Sequence, residues 1–189
     1  MKLLLTGDSI IARKEGLQEP HINNDIKKKI PQVEVVNTAI SGINSGAFLA
    51  MLADLILKKP RGDKLAILLG TNDLALHKQV PPERFKQNIE LLVASVICQY
   101  YPPNVVLISP PAVDERKQKK RNNKLVERYA GIINEVAHVY QVKFVNLYQA
   151  MINAGDLSNL CRGELDDGLH FGAAGYDLLA NLLVEQLTR

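Results

Sequence analysis

The stretch MKLLLTGDSII, residues 1–11, places a glycine, a carboxylate and a hydroxyl between two apolar runs. Leu3 to Leu5 form a short run of the length and composition that are typical of a buried strand. Thr6-Gly7-Asp8-Ser9 ends that run, and apolar residues resume at Ile10. The pattern predicts a strand, a tight turn and the start of a helix. It leaves open whether the turn presents Ser9 for chemistry or only joins the two elements.

Four further apolar runs resemble the first in length and in their content of Val, Ile and Leu. Such runs are typical of parallel strands that are buried on both faces. Longer amphipathic segments lie between them and predict helices. The alternation predicts an α/β fold with a parallel sheet and right-handed crossovers. The predicted strands are KLLLT (2–6), VEVVN (33–37), KLAILL (64–69), NVVLIS (104–109) and VKFVN (142–146).

The predicted helices each carry one apolar stripe. The first of them runs from Ser45 to Lys58, with Asn44 or Ser45 as its expected N-cap, and Pro81-Pro82 opens the next. We expect a three-layer, flavodoxin-like sandwich with a five-stranded parallel sheet in the order 2-1-3-4-5, in one domain over residues 1–189. Two more helices are predicted over Lys117 to Tyr140 and about Ala173 to Leu187.

Composition and charge exclude several classes of protein. A net charge of +3 over 189 residues is too small to indicate a nucleic-acid partner. Cys98 and Cys161 are too few for a disulfide framework and favour free thiols in a reducing cytosol. The apolar run near the N-terminus is too short for a signal peptide, and no stretch is long enough to span a membrane. We therefore expect a cytoplasmic protein without a stable membrane anchor, and no feature of the sequence indicates its oligomeric state.

Small polar residues follow three consecutive strands, at the edge where the carboxyl ends of parallel strands meet. Gly7-Asp8-Ser9 follows the first strand, Ser41-Gly42 lies in the segment after the second, and Gly70-Thr71-Asn72-Asp73 follows the third. Ligands of open parallel sheets bind beyond this edge. Near the C-terminus, Asp166-Asp167-Gly168-Leu169-His170 comes just before the last predicted helix.

These segments contain every group that ester hydrolysis requires: a nucleophile, a base, a group that orients the base, and donors for the oxyanion. Ser9 can be the nucleophile and His170 the base. Asp167 lies three residues before His170, so that one turn can bring its carboxylate to the imidazole. The backbone N–H groups of Ser9 and Gly42, with the side-chain amide of Asn72, can donate to the oxyanion.

The order of the four segments resembles the SGNH, or GDSL-like, hydrolase family of lipases, esterases and acylhydrolases. The four residues that give the family its name match Ser9 in GDS, Gly42 in SGINS, Asn72 in GTND and His170 in DGLH. Asp167 stands in the Asp-x-x-His spacing of the family. The resemblance implies a flavodoxin-like fold with no lid domain, no metal and no other cofactor.

The resemblance also implies a serine esterase that acts on a small-molecule ester through an acyl-enzyme. Ile10 stands where the lipase subgroup often has leucine, a conservative change. A small domain without an evident lid favours short acyl groups. Carbohydrate deacetylation and lysophospholipid or thioester cleavage stay open. The alternative from another class is a non-catalytic flavodoxin-like binding domain, against which the sequence lacks both common Gly-rich nucleotide-binding motifs.

Single residues of these segments also have structural interpretations. Ser9 could cap the helix after the first strand, Gly42 could form only a tight turn, and His170 could cap the final helix. We expect Asp8 to act as a cap and Asp73 to be structural. The functional interpretation rests on the occurrence of all four segments in order.

The run DERKQKKRNNK, residues 114–124, follows the fourth strand and is strongly basic. We favour the interpretation that its cations form the solvated face of the third helix, since charge runs on amphipathic helices usually do so. Alternatively, Arg116 and Lys117 lie over the site and attract substrates with an acidic group. In the favoured interpretation, the residues on the solvated face are Lys117, Lys120, Arg121 and Lys124.

Overall fold

All five predicted strands form, and they pair in parallel in the order 2-1-3-4-5 that the sequence predicts. The structure is a computed structural model that describes residues 1–188. In this sheet the chain moves outward from β1 to β2 and then crosses to the other side for β3, so that the crossover direction reverses beside β1. The strands are β1 (Lys2–Gly7), β2 (Glu34–Asn37), β3 (Lys64–Leu68), β4 (Val105–Ile108) and β5 (Lys143–Val145).

The central strands β1, β3 and β4 are apolar along most of their length because both faces of the sheet are covered there, whereas the edge strands β2 and β5 are only partly buried. Leu4 lies in register with Val36 of β2 on one side and with Leu65 of β3 on the other. Leu3, Leu4 and Leu5 are almost completely buried, although their side chains alternate between the two faces. Full burial of such a side chain contributes about 1.5–3 kcal/mol, so the centre of the sheet contributes strongly to stability.

Two groups of helices cover the sheet. One group packs in sequence, α3 on α4 and α4 on α5, and the other is dominated by the contact of α2 with α8. Right-handed crossovers on the two sides of β1 place these groups on opposite faces, which completes the three layers. The helices are α1 (Ser9–Ala12), α2 (His21–Lys29), α3 (Ser45–Ala50), α4 (Pro82–Val96), α5 (Asn123–Val139), α6 (Leu147–Ala154), α7 (Leu157–Leu160) and α8 (Ala173–Thr188).

The predicted helix from Ser45 to Lys58 is interrupted. Helix α3 ends at Ala50, and a π-helical turn follows at Ala53–Leu57. The predicted N-cap is confirmed, since Asn44 Oδ1 accepts the N–H of Ala47 at 2.9 Å. Over residues 1–188, no helix is both long enough and apolar enough to cross a bilayer.

The third predicted helix begins later than the sequence pattern indicates. Helix α5 starts at Asn123 rather than at Lys117, because Asn122 caps it by accepting the N–H of Leu125 at 2.9 Å. The side chain of Asn123 holds the backbone of Val113 through two hydrogen bonds of 2.9 Å. Residues 114–122 therefore form a loop at the carboxyl edge of the sheet, and we call this segment the basic loop.

Candidate active site

Ser9 is placed by the sharp turn that follows β1. Gly7 has a φ of +150°, and a Cβ at this position would collide with the carbonyl oxygen of Leu68 on β3. Only glycine therefore lets β1 pass so close to β3 before the chain turns. Asp8 Oδ1 accepts the N–H of Ile10 at 2.9 Å, which confirms its expected role as the cap of α1. Ser9 is the first residue of that helix and lies at the carboxyl edge of the sheet.

The carboxylate of Asp8 lies directly beneath this turn and is completely buried. Burial raises the pKa of Asp8 from 3.8 to about 6, against the opposing effects of the Ile10 N–H and of the charge of Arg121. Loss of hydration disfavours the ionised form, and this is the largest effect here. The residue beside Ser9 is thus a buried carboxyl whose ionised form is disfavoured.

The structure brings Ser9, His170 and Asp167 together in one chain of hydrogen bonds. Ser9 Oγ lies 3.0 Å from Nε2 of His170, and His170 Nδ1 lies 2.9 Å from Oδ2 of Asp167. The backbone N–H groups of Leu169 and His170 both donate to Asp167 Oδ1 at 3.0 Å. Burial opposes ionisation of Asp167, but the N–H and the imidazole of His170 hold its pKa below the usual value. An ionised carboxylate can therefore orient the imidazole whose other nitrogen faces the serine.

The predicted oxyanion donors line the same cleft as Ser9. Asn72 follows β3 and is 5% exposed, and its Nδ2 donates to the carbonyl of Ile43 at 2.9 Å. Gly42 has a φ of +81°, and open space surrounds the position of a Cβ, so that backbone conformation rather than crowding requires glycine there. The positions predicted for the oxyanion donors thus line one cleft with Ser9.

Arg121 lines the cleft. The sequence pattern had favoured a position for it on the solvated face of a helix. Its Nε donates to the carbonyl of Thr71 at 2.7 Å, and its Nη2 lies 3.4 Å from Oδ1 of Asn72. Burial lowers the pKa of Arg121, while Asp8 and Asp167 act in the opposite direction. The guanidinium thus holds the segment that carries Asn72. The sequence signal for a position of Arg121 outside the helix was the Asn-Asn pair that follows it, because asparagine is a favoured N-cap.

Asp73 is structural, as expected. Its carboxylate accepts the backbone N–H of Ser45 at 2.9 Å and 3.1 Å and the hydroxyl of Ser45 at 2.5 Å. Asn88 of α4 donates to the same hydroxyl at 2.8 Å. This buried network joins the segment after β3 to α3 and α4, and it thereby holds the segment that carries Asn72 in place.

Asn37 and the two cysteines are not members of the hydrogen-bonded chain. Asn37 secures the segment after β2, since its Oδ1 accepts the N–H of Ala39 at 3.0 Å and its Nδ2 donates to Ile11 and Asn23. Cys98 and Cys161 are free thiols, and burial raises the pKa of the Cys161 thiol to about 12. A thiol that holds its proton so firmly is a poor nucleophile.

The cleft at this edge is open and has a volume of about 540 Å³. Ser9, Ser41, Gly42 and Asn72 line one part of it, and the basic loop lines another. A family model described as the GDSL-like Lipase/Acylhydrolase family matches residues 5–178. The chain belongs to that family. The resemblance inferred from the four sequence motifs is thereby confirmed, and the matched range contains every residue of the hydrogen-bonded chain.

Two named relatives are similar to this chain over most of its length. An N-acylneuraminate cytidylyltransferase of Escherichia coli is 29% identical over 163 aligned positions, and the match covers 84% of this GDSL-like hydrolase but only 36% of that protein's length. The isoamyl acetate-hydrolyzing esterase of Saccharomyces cerevisiae is 24% identical over 205 aligned positions and is matched over 84% of its length. That match covers 97% of this chain.

The crystal structure of a lipase/acylhydrolase from Enterococcus faecalis has the same fold. It superimposes with a TM-score of 0.85 at 27% sequence identity and covers 98% of this GDSL-like hydrolase and 94% of the other chain. The five-stranded parallel sheet with helices on both faces is therefore shared between the two proteins. Family and relatives together indicate an enzyme of the esterase or acylhydrolase class.

Proposed function

We propose that this protein is a serine esterase that cleaves carboxylic esters of small molecules through an acyl-enzyme. The observation that carries the proposal is the hydrogen-bonded chain from Ser9 Oγ through His170 to Asp167, with distances of 3.0 Å and 2.9 Å. A serine that contacts an imidazole, which a carboxylate orients in turn, is the arrangement that activates a hydroxyl for acyl transfer. Membership of a family of acylhydrolases supports the same reaction.

In the proposed reaction His170 Nε2 takes the proton of Ser9 as Oγ attacks the acyl carbon. The tetrahedral intermediate collapses, the ester C–O bond breaks, and His170 gives the proton to the departing alcohol. A water molecule then attacks the acyl-enzyme, with His170 again accepting and returning one proton. The products are the alcohol and the carboxylic acid, and Ser9 is regenerated.

Charge develops at two places in this reaction, and the residues at each can stabilise it. The ionised Asp167 stabilises the imidazolium that forms at His170. The oxyanion accepts hydrogen bonds from the N–H groups of Ser9 and Gly42 and from Nδ2 of Asn72. Fixed donors of this kind act without reorganisation during the reaction, and each typically contributes about 2.7–4 kcal/mol.

The open cleft favours esters with short acyl groups. A volume of about 540 Å³ shared between acyl and alcohol leaves little room to enclose a long chain. The Saccharomyces relative is named for the hydrolysis of isoamyl acetate, which is a short-chain ester. Carbohydrate deacetylation and lysophospholipid or thioester cleavage use the same chemistry and are arms of the test. Cytidylyl transfer is not proposed, because this chain spans only 36% of the relative named for it.

The proposal is tested with a fluorophosphonate probe and a panel of substrates. The panel contains aryl esters of increasing acyl length, acetylated sugars, a lysophospholipid and an acyl thioester. We expect the probe to label Ser9, as located by peptide mapping, and Ser9→Ala to lose both labelling and turnover. Ser41→Ala is the matched control, because Ser41 lines the same cleft outside the hydrogen-bonded chain. Turnover that survives in Ser9→Ala, or a wild type that binds ligands but hydrolyses none of the panel, would contradict the proposal.

A further inference from the structure

The basic side chains of the cleft outnumber the carboxylates that could neutralise them. Two of the five are paired: Lys117 Nζ lies 2.5 Å from Asp166, and Arg13 contacts Glu15. The other carboxylate of the cleft, Asp167, is engaged by His170. The five basic residues are Arg13, Lys117, Lys119, Lys120 and Arg121.

Within residues 1–188, two lysines of the basic loop, Lys119 and Lys120, thus remain without a carboxylate partner, whereas the charges of Asp8 and Asp167 act on the partly buried Arg121. Among residues 1–188, no Asp or Glu oxygen lies within 4.0 Å of the charged groups of Lys119, Lys120 or Arg121. Arg121 uses its donors on Thr71 and Asn72, and Lys119 reaches only a backbone carbonyl, at 3.5 Å. Lys119 and Lys120 are exposed at the cleft and are available to a ligand.

The basic loop is anchored to the wall of the cleft that carries Asn72. The carbonyl of Lys120 accepts the N–H of Leu76 at 2.9 Å, and Arg121 donates to Thr71 at 2.7 Å. These bonds hold the loop beside the segment that follows β3. Lys120 therefore has a fixed backbone position, although its side chain is exposed.

The other end of the loop is anchored to the segment that carries Asp167 and His170. The N–H of Asp114 donates to the carbonyl of Gly168 at 2.8 Å, and Gln118 Nε2 donates to Asp167 at 3.3 Å. A Cβ on Gly168 would lie 2.7 Å from the carbonyl oxygen of Asp114. The loop consequently spans both halves of the candidate site, and a backbone anchored at both ends, rather than a helix face, carries its lysines.

In the structure, the cations that can attract an anionic substrate are not the residues that the sequence suggested. Arg116 binds Asp114 through Nε and Nη2, at 2.8 Å and 2.9 Å, and does not line the cleft. Lys117 lines the cleft but is neutralised by Asp166. Arg116 and Lys117 are therefore not the anion-attracting pair, whereas Lys119 and Lys120 lie two or three positions further along the loop.

We infer that the esterase proposed above prefers esters that carry an anionic group, a carboxylate or a phosphate, which Lys119 and Lys120 recognise. The inference rests on the proposed function, since it concerns the substrate of the same cleft. Ser9 Oγ bonds to the acyl carbon, the ester bond breaks, and the proton of Ser9 passes through His170 to the alcohol. The anionic group takes no part in these bond changes and serves only to hold the substrate.

The test compares matched acetyl esters that differ in charge. The probes are 4-acetoxybenzoate, which is anionic, 4-acetoxybenzamide, which is neutral and nearly isosteric, and 4-acetoxyphenyl phosphate. The measured quantity is the ratio of kcat/KM for each anion to kcat/KM for the amide. Differences in intrinsic reactivity cancel when this ratio is compared between variants. The phosphate arm shows which of the two anions the cleft prefers.

We expect Lys119→Gln/Lys120→Gln to lower this ratio roughly two- to thirtyfold while the neutral ester reacts as in the wild type. The control is Lys59→Gln/Lys124→Gln, which removes two exposed lysines outside the cleft and should keep the ratio. Raising the ionic strength from 0.01 M to 1 M shortens the Debye length from about 30 Å to about 3 Å. The ratio of the wild type should fall accordingly.

The outcomes separate this inference from the proposed function. Hydrolysis of all three esters with the same ratio in every variant overturns the anion preference and leaves the esterase intact. An equal fall of the ratio in the control variant assigns the effect to overall charge and also overturns the inference. Absence of turnover on all three esters, together with no fluorophosphonate labelling of Ser9, overturns both.

Discussion

Replacement of Asp8 by asparagine should stabilise the protein at neutral pH and leave it unchanged in acid. The asparagine keeps an oxygen that can accept the N–H of Ile10, and asparagine caps helices about as well as aspartate. The substitution removes only the ability to ionise. Because Asp8 is completely buried, that ionisation is costly in the folded protein.

The magnitude follows from the pKa of Asp8, which rises from 3.8 to about 6 on folding. A carboxyl whose pKa is raised binds its proton more tightly in the folded state. Its contribution to stability is therefore fully present below pH 3.8 and is lost as the pH rises through about 6. Since a tenfold change in proton affinity is worth 1.36 kcal/mol, the loss is about 3 kcal/mol by pH 7.5.

Urea unfolding at pH 4, 5, 6, 7 and 7.5 measures this effect in the wild type and in Asp8→Asn. Groups other than Asp8 titrate in both proteins. The difference between the free energies of unfolding of the wild type and the variant therefore isolates the ionisation of Asp8. The advantage of the variant should grow with pH by up to about 3 kcal/mol. Asp54→Asn, which removes one negative charge at an exposed side chain, is the control for net charge. A difference that is constant with pH, or a variant that becomes less stable at pH 7.5, would refute the reasoning.

Four further outcomes test the site and its supports. Asn72→Ala should lower kcat by about a hundredfold to a thousandfold with little change in KM, because the lost donor acts on the transition state. Arg121→Ala should also lower kcat, and its effect should largely disappear in the Asn72→Ala background, since one residue acts through the other. Asp167→Asn should lower kcat by up to about 10⁴-fold while circular dichroism shows an intact fold. Gly168→Ala should lower the urea midpoint, because a φ of +74° and the nearby carbonyl of Asp114 both disfavour a Cβ.

The strands and their parallel direction could be predicted because the requirements for a buried strand are local, whereas the order 2-1-3-4-5 rests on the common flavodoxin-like arrangement. A run such as Leu3 to Leu5 is apolar without alternation only where both faces of a sheet are covered, and the helical segments between the runs make the sheet parallel. The residues at the strand ends could be identified for the same reason. Parallel strands bring their carboxyl ends to one edge, whatever the details of packing.

The start of α5 and the position of Arg121 could not be derived from periodicity. Polar residues before a helix and polar residues on its solvated face give the same pattern, so that the capping bond of Asn122 decides between them. The contacts of Arg121 with Thr71 and Asn72 join positions about 50 residues apart, and such contacts depend on the tertiary fold. The interruption between α3 and the π-helical turn at Ala53–Leu57 likewise left no sign in the apolar stripe.

The contact between Ser9 and His170 joins positions that are 161 residues apart, and it governs when the site can exist during synthesis of the chain. The segment with the serine leaves the ribosome early and can begin to pack with β2 and β3. It has no base until the segment with His170 emerges and docks beside it. Contacts of such long separation form late, because the entropy of closing the loop must be overcome first. An intermediate that lacks this docking step cannot form acyl-enzyme by the proposed route, so recovery of activity after dilution from denaturant would report the completion of folding.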